Sequence, residues 1–160
     1  MSIGDREKTR ALLHECDVHA KRIRYAQEQC APFFPLTATS YKTLTEDAIT
    51  YLDQLVYRYT KLQDTLGAKL FPLIVEHLRE DAESLTIVDK LSQLERSGAI
   101  ESSQKWQEMR ELRNQLAHDY EDDPESAADY LNELFTSSNE LLSFQTRASR
   151  FVHERILPTQ

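Results

Sequence analysis

The few helix breakers in this chain fall at the ends of its stretches of helical spacing, and that narrows the fold more than any other feature. Of 160 residues, three are Gly and five are Pro. Pro32 and Pro35 frame Phe33-Phe34, Gly67 lies close to Pro72, Gly98 stands alone, and Pro124 follows Asp123. Elsewhere Ala, Leu, Glu, Gln, Lys and Arg abound, which favours helices over sheets. The spacing predicts a first helix over 5–30, ended by Ala31-Pro32-Phe33-Phe34-Pro35 because proline cannot continue the hydrogen-bond ladder. A second starts near Thr43 or Thr45, where Thr43-Leu44-Thr45-Glu46 fits a capping box. Gly67 and Pro72 predict a break or kink in it before Ile74, Val75 and Leu78. A third, over 87–97, is closed by Gly98 as a left-handed terminator. The fourth covers 105–117, with Ser102 or Ser103 as N-cap, and the fifth covers 124–156, with Asp123 as N-cap and Pro124 as first residue.

The expected fold is therefore all-α: an antiparallel bundle of about five helices in a single domain, 1–160, long enough to bury one solid core. Core candidates are Leu12, Leu13, Val18 and Ile23 on the first helix. Leu44, Ala48, Leu52, Leu55, Tyr59 and Leu62 serve on the second, and Leu131, Leu134, Phe135, Leu141, Leu142 and Phe144 on the fifth. Phe33 and Phe34 are read as plugs at a core edge.

The chemistry concentrates on the fourth helix. Arg110-Glu111-Leu112-Arg113-Asn114-Gln115-Leu116-Ala117-His118-Asp119-Tyr120 contains an R-x4-H-x-Y pattern running Arg113, His118, Tyr120. With Arg113 at zero on a helical wheel, Met109, Leu112 and Leu116 fall near ~320°, ~260° and ~300°, an apolar stripe suited to a core. Trp106, Arg110, Ala117 and Tyr120 lie within about 60° of Arg113, and Asn114 and His118 near ~100° and ~140°. Asn114 and His118 are four apart, so their side chains can meet. Arg113 and His118 diverge by about 140°, which suits a site shared across a two-fold axis, with small Ala117 permitting close approach. Charged residues on a helix face are most often just solvated. Trp106 reads as a packing anchor rather than a base-stacking platform.

The formal net charge of −8 opposes a generic nucleic-acid binder. Arg110 and Arg113, with Lys105 nearby, would have to supply a local cationic face, while Asp119, Glu121, Asp122 and Asp123 follow at once. Asp53, Arg58, Lys61 and Asp64 read as a solvated face of the second helix, although Arg58 could approach the motif helix. Glu15 and His19 form an i, i+4 surface pair; His14, Cys16 and His19 do not share one face well enough for a metal. Cys16 and Cys30 lie about 21 Å apart along one helix, too far for a disulfide, and read as reduced cytosolic thiols. No stretch is long and apolar enough for a membrane span, and the N-terminus has no signal-like apolar region. A cytoplasmic protein is expected, with no metal and no cofactor.

The motif resembles that of HEPN-domain proteins, specifically the HepT-like toxins of prokaryotic toxin–antitoxin pairs. The resemblance extends to Arg58-Tyr59-Thr60-Lys61-Leu62-Gln63-Asp64-Thr65-Leu66-Gly67 with Phe71-Pro72. It continues through Ile87-Val88-Asp89-Lys90-Leu91, Leu94-Glu95 and Gly98-Ala99-Ile100, and covers roughly residues 40–145. It implies a homodimer with two facing motifs, metal-independent cleavage of RNA, and a cognate nucleotidyltransferase antitoxin. In that mechanism His118 moves a proton at the ribose 2′-hydroxyl or the leaving 5′-oxygen, and Arg113 holds the phosphate. Asn114 bonds the phosphate or fixes the imidazole, and Arg110 supports them. The resemblance also implies that the nucleotidyltransferase silences the toxin by transferring AMP to Tyr120. The alternative is a non-catalytic nucleotide- or substrate-binding subunit of a nucleotidyltransferase complex. A third reading is a helical dimerisation protein whose motif face merely packs.

Overall fold

The structure, a computed structural model, describes residues 1–116 and 123–158, apart from the side chain of Leu116. Among these residues every regular element is helical. They are α1 (Ile3–Cys30), α2 (Ala38–Lys42), α3 (Glu46–Thr65), α4 (Phe71–Leu78), α5 (Ile87–Ser97), α6 (Ser103–Leu116) and α7 (Pro124–Phe151). Wide π turns at Leu66–Leu70 and Val152–Ile156 extend α3 into α4 and lengthen α7.

The boundaries follow local chemistry. The Ser2 hydroxyl and the Asp5 carboxylate cap α1 reciprocally. The second long helix starts at Glu46: Thr45 is its N-cap, its hydroxyl accepting from the Ala48 N–H at 3.1 Å. The capping box expected at Thr43 is not the one used. Sequence spacing gave no helix at 38–42, yet Thr37 and Ser40 cap one another there and start the short α2. α5 spans its predicted residues and ends at Gly98 with φ 84°. That conformation costs an L side chain about 1–2 kcal/mol.

Gly67 and Pro72 do not break the second helix. Pro72 lacks an N–H, and its ring would strike a carbonyl of the preceding α turn. The wider π turn, in which the Phe71 N–H reaches back to the Leu66 carbonyl, supplies the slack. Leu66 and Leu70 stay buried on either side of it.

The contacts fix helix direction. Asp17 meets Gln145 and Gln27 meets Ser138 and Asn139, so α1 and α7 run antiparallel. His19 meets Arg58, Glu15 meets Thr65, and Tyr25 packs edge-on against Tyr51, so α1 and α3 are antiparallel too. The core lies between these three helices and continues under α4, α5 and α6. Val18 is 39 % exposed, whereas Thr9, Leu13, Cys16, Ala20, Ile23, Ala26 and Cys30 make the buried face of α1. Small residues carry that face because α3 lies closely along it. Phe34 stacks on Phe135 at 4.3 Å, so the aromatic pair before Pro35 does plug the core edge.

Candidate functional site

α6 carries two faces. Ser102 opens the helix by accepting from the Lys105 N–H at 3.2 Å. Met109 and Leu112 are buried in the core. Trp106, Arg110, Arg113 and Asn114, which share the other side of the helical wheel, line a cavity of about 620 Å³ bounded by the α3–α4 junction, α5 and α6. That volume is in the range of small-ligand sites.

Trp106 forms the inner wall. It is 3 % exposed and sits against Phe71 at 4.6 Å and Phe144 at 5.7 Å, which makes it the packing anchor the sequence suggested. Gly67 makes that position possible: a Cβ there would lie 3.1 Å from the indole. The π turn and the glycine together bring backbone, rather than a side chain, up to the ring.

Arg113 is half-buried, and its guanidinium donates to Asp64 Oδ2 at 3.2 Å. Asp64 is exposed, as expected of a solvated face, and from α3 it also pairs with the motif arginine. Arg113 Nε is buried without a hydrogen-bond partner among the described residues, as are both amide atoms of Gln63, a residue 3 % exposed. Gln63 also lines the cavity. An unmet buried polar group costs about 1–3 kcal/mol, so such a cluster demands a reason.

The cations gather locally despite the net charge of −8. Lys90, Arg110 and Arg113 line the cavity, and Asp64 is the one carboxylate among its lining residues. Lys105, expected nearby, is paired with Glu101 at 3.5 Å and does not line it. Arg58 does not turn to α6 either: it donates to His19 Nδ1 at 3.0 Å. Burial, and then the Arg58 charge, hold the His19 pKa below 6.5. Glu15 Oε1 stands 3.9 Å from the other ring nitrogen. Cys16 and Cys30 are free and buried, and burial pushes their thiols up to about 12 and about 11, so they are poor nucleophiles. Among the described residues no group of three or more metal-ligating side chains forms, and no helix is long and apolar enough to cross a membrane.

The structure thus brings Arg110, Arg113 and Asn114 to one cavity. His118 and Tyr120 lie outside the described residues, as does Ala117. Sequence reasoning missed Gln63, Asp64 and Lys90 as members of this site. For Gln63 a signal existed: it falls about 40° from Tyr59 on the apolar arc of its helix, where an amide is out of place. Lys90 and Asp64 carried no such mark, since each belongs to another helix and meets α6 only through packing. No protein-family model matches this chain, nor does any of the curated proteins or solved structures compared with it.

Proposed function

We propose that this protein is an RNA-cleaving toxin of the HEPN-domain, HepT-like kind, active as a homodimer and neutralised by a partner nucleotidyltransferase. The observation that carries the reading is the convergence of Arg110, Arg113 and Asn114 with Lys90 on one cavity. Arg113 grips the scissile phosphate, its fork held in place by Asp64 and its added charge tolerated because Lys90 and Arg110 lie on the same wall. His118, which follows in the sequence, takes the 2′-hydroxyl proton or returns one to the leaving 5′-oxygen, and an imidazole with a pKa near ~6.5 suits either step. Asn114 bonds the phosphate or steadies the ring. Two copies sharing the motif face would supply the Arg113 of one and the His118 of the other. AMP transferred to Tyr120 would add a phosphate able to compete with RNA for Arg113.

The test is cleavage of RNA in chelator, with DNA of the same sequence inert and 2′,3′-cyclic phosphate ends on the products. Arg113→Ala and His118→Ala should each lower the rate by about 10²–10⁴-fold while circular dichroism remains helical. Wild-type rates in both variants would overturn the assignment. Light scattering should give a dimer. Co-expression with the nucleotidyltransferase should add the mass of AMP to the wild type and not to Tyr120→Phe.

The size of the cavity, about 620 Å³, favours one second reading, a nucleotide-binding subunit in which the same side chains hold a phosphate without cutting. Growth arrest on expression, lost in His118→Ala, separates the two.

A further inference from the structure

The cavity between the α3–α4 junction, α5 and α6 has two unlike ends. On α6, Trp106, Arg110 and Arg113 follow one another along its cavity side. Asp64 meets Arg113 at 3.2 Å, whereas Gly67 and Phe71, later in the chain, lie against Trp106. The α3–α4 junction therefore runs antiparallel to α6, with the tryptophan at one end of the shared space and the motif arginine at the other. α5 follows the same axis. Its Glu95 carboxylate accepts from the Ser103 N–H at 2.9 Å where α6 begins, so Leu94 belongs to the tryptophan end and Lys90, one turn earlier, lies toward the arginines.

The lining sorts along that axis. Around the tryptophan it is apolar: Phe71, Val75, Leu91, Leu94 and the indole, all buried. Toward Arg113 it is cationic, with Asp64 as the one carboxylate among the lining residues. Asp64 is taken by Arg113, and Lys90 and Arg110 have no carboxylate partner among the described residues. Arg110 is exposed and Lys90 partly buried, so this charge is held at the mouth. A bare phosphate would use the cations and leave the apolar end wet. A neutral apolar molecule would leave the cations unmatched. A ligand with an apolar body and one anionic head uses both ends, and a guanidinium with an ammonium suits such a head. Trp106 and Arg113 stand about 10 Å apart along the α6 axis, roughly the length of an extended octanoate.

We propose that this cavity binds a small amphipathic organic acid, its apolar body against Trp106 and its anionic head among Lys90, Arg110 and Arg113. The proposal goes beyond the nuclease reading, which uses the cations and gives the apolar end no task.

Trp106 is the single tryptophan of the chain and lines the cavity, so its fluorescence reports occupancy. The full chain is titrated with octanoate, butanoate and octanol, with calorimetry alongside. Octanoate should bind about tenfold or more tightly than butanoate, because each buried methylene adds to the transfer from water. It should exceed octanol by about fivefold or more, through the charge-assisted contacts of its head. Arg110→Ala should remove most of the margin over octanol and leave octanol itself unchanged. Ala68→Phe, at an exposed lining residue of the π turn, should fill the space and weaken octanoate and octanol alike, with the thermal midpoint as the check on folding. Equal binding of octanoate and octanol by the wild type overturns the proposal with no variant needed, and so does equal binding of octanoate and butanoate. Octanoate binding that both variants leave at wild-type strength overturns it too, since the ligand then sits elsewhere. No octanoate binding to a protein that light scattering shows as a dimer overturns it in favour of a second copy covering this face. Octanoate binding without RNA cleavage would leave the ligand site standing and the nuclease reading fallen. RNA cleavage with no octanoate binding would do the reverse.

Discussion

Tyr59 and Gln63 stand four residues apart on α3, both buried, and the structure treats them in opposite ways. The Tyr59 hydroxyl meets Ser137 on α7 at 2.8 Å, and burial pushes its pKa up to about 12, so it remains a neutral hydrogen-bonding group. The Gln63 amide, one turn later, is buried and meets nothing among the described residues, although the residue borders the cavity. The contrast extends to the regions around them. Where α1, α3 and α7 meet, the bridging polar side chains are matched: Gln27 with Ser138 and Asn139, and Gln145 with Asp17. Where α3, α5 and α6 meet, cations line a cavity and the buried Gln63 amide beside it goes unmatched. A polar group satisfied inside the protein serves the fold; one buried without a partner is a cost that the rest of the fold offsets.

The sharpest blow to the bundle side should come from Leu62→Ala. Leu62 is fully buried, and truncation should cost about 2–5 kcal/mol in denaturant unfolding. The cavity side should answer differently, with exposed Arg110→Ala moving stability by less than about 0.5 kcal/mol. A comparable loss at both positions would erase the distinction between the regions.

The direct test of the pair is next in size. Tyr59→Phe strands Ser137, which is 8 % exposed, and should cost about 1–3 kcal/mol. Gln63→Leu removes an unmet amide and should leave the thermal midpoint unchanged or raise it. Equal destabilisation by both would show that the two residues are not different in kind.

Gly67→Ala probes the joint between the regions. Alanine favours helix by about 1 kcal/mol over glycine, but its Cβ would press on an indole wedged between Phe71 and Phe144. Overpacking should win, with a net loss of about 1 kcal/mol and a shift in Trp106 emission. A more stable protein with unchanged fluorescence would mean the wall gives way freely.

The smallest effect concerns acid. His19 must be neutral to accept from Arg58, and its folded pKa lies below 6.5. The unfolded chain therefore binds the proton more readily, so this contribution is complete above about pH 6.5 and is lost as pH falls toward the folded pKa. His19→Gln, which keeps an acceptor, should flatten the thermal midpoint between about pH 7 and 5. An unchanged slope would assign the acid sensitivity elsewhere.

Helix positions were largely legible because their signals are local. Gly98 closes α5 and Pro124 opens α7 where the sequence placed them, since a left-handed stop and a proline start act within a turn. The α1 face was half legible: Leu13 and Ile23 are buried as expected, but Val18 is not, and Ala20, Ala26 and both cysteines are. Hydrophobicity alone undervalues small residues, and only the close approach of α3 makes them core. Of the motif, the sequence correctly grouped Trp106, Arg110, Arg113 and Asn114 on one side of a helix. It could not say that this side faces a cavity.

By itself, then, the sequence determined that this chain is helical, where most helices start and stop, and which α6 residues share a face. Those properties follow from backbone propensity and a repeat of about 3.6 residues. Only tertiary structure decided that Asp64 orients Arg113, that Lys90 rather than Lys105 joins the cationic wall, and that Arg58 turns to His19. It also decided that Tyr59 finds a partner and Gln63 does not. Each of these depends on how helices distant in sequence cross and how deeply they interlock, and no local period encodes that.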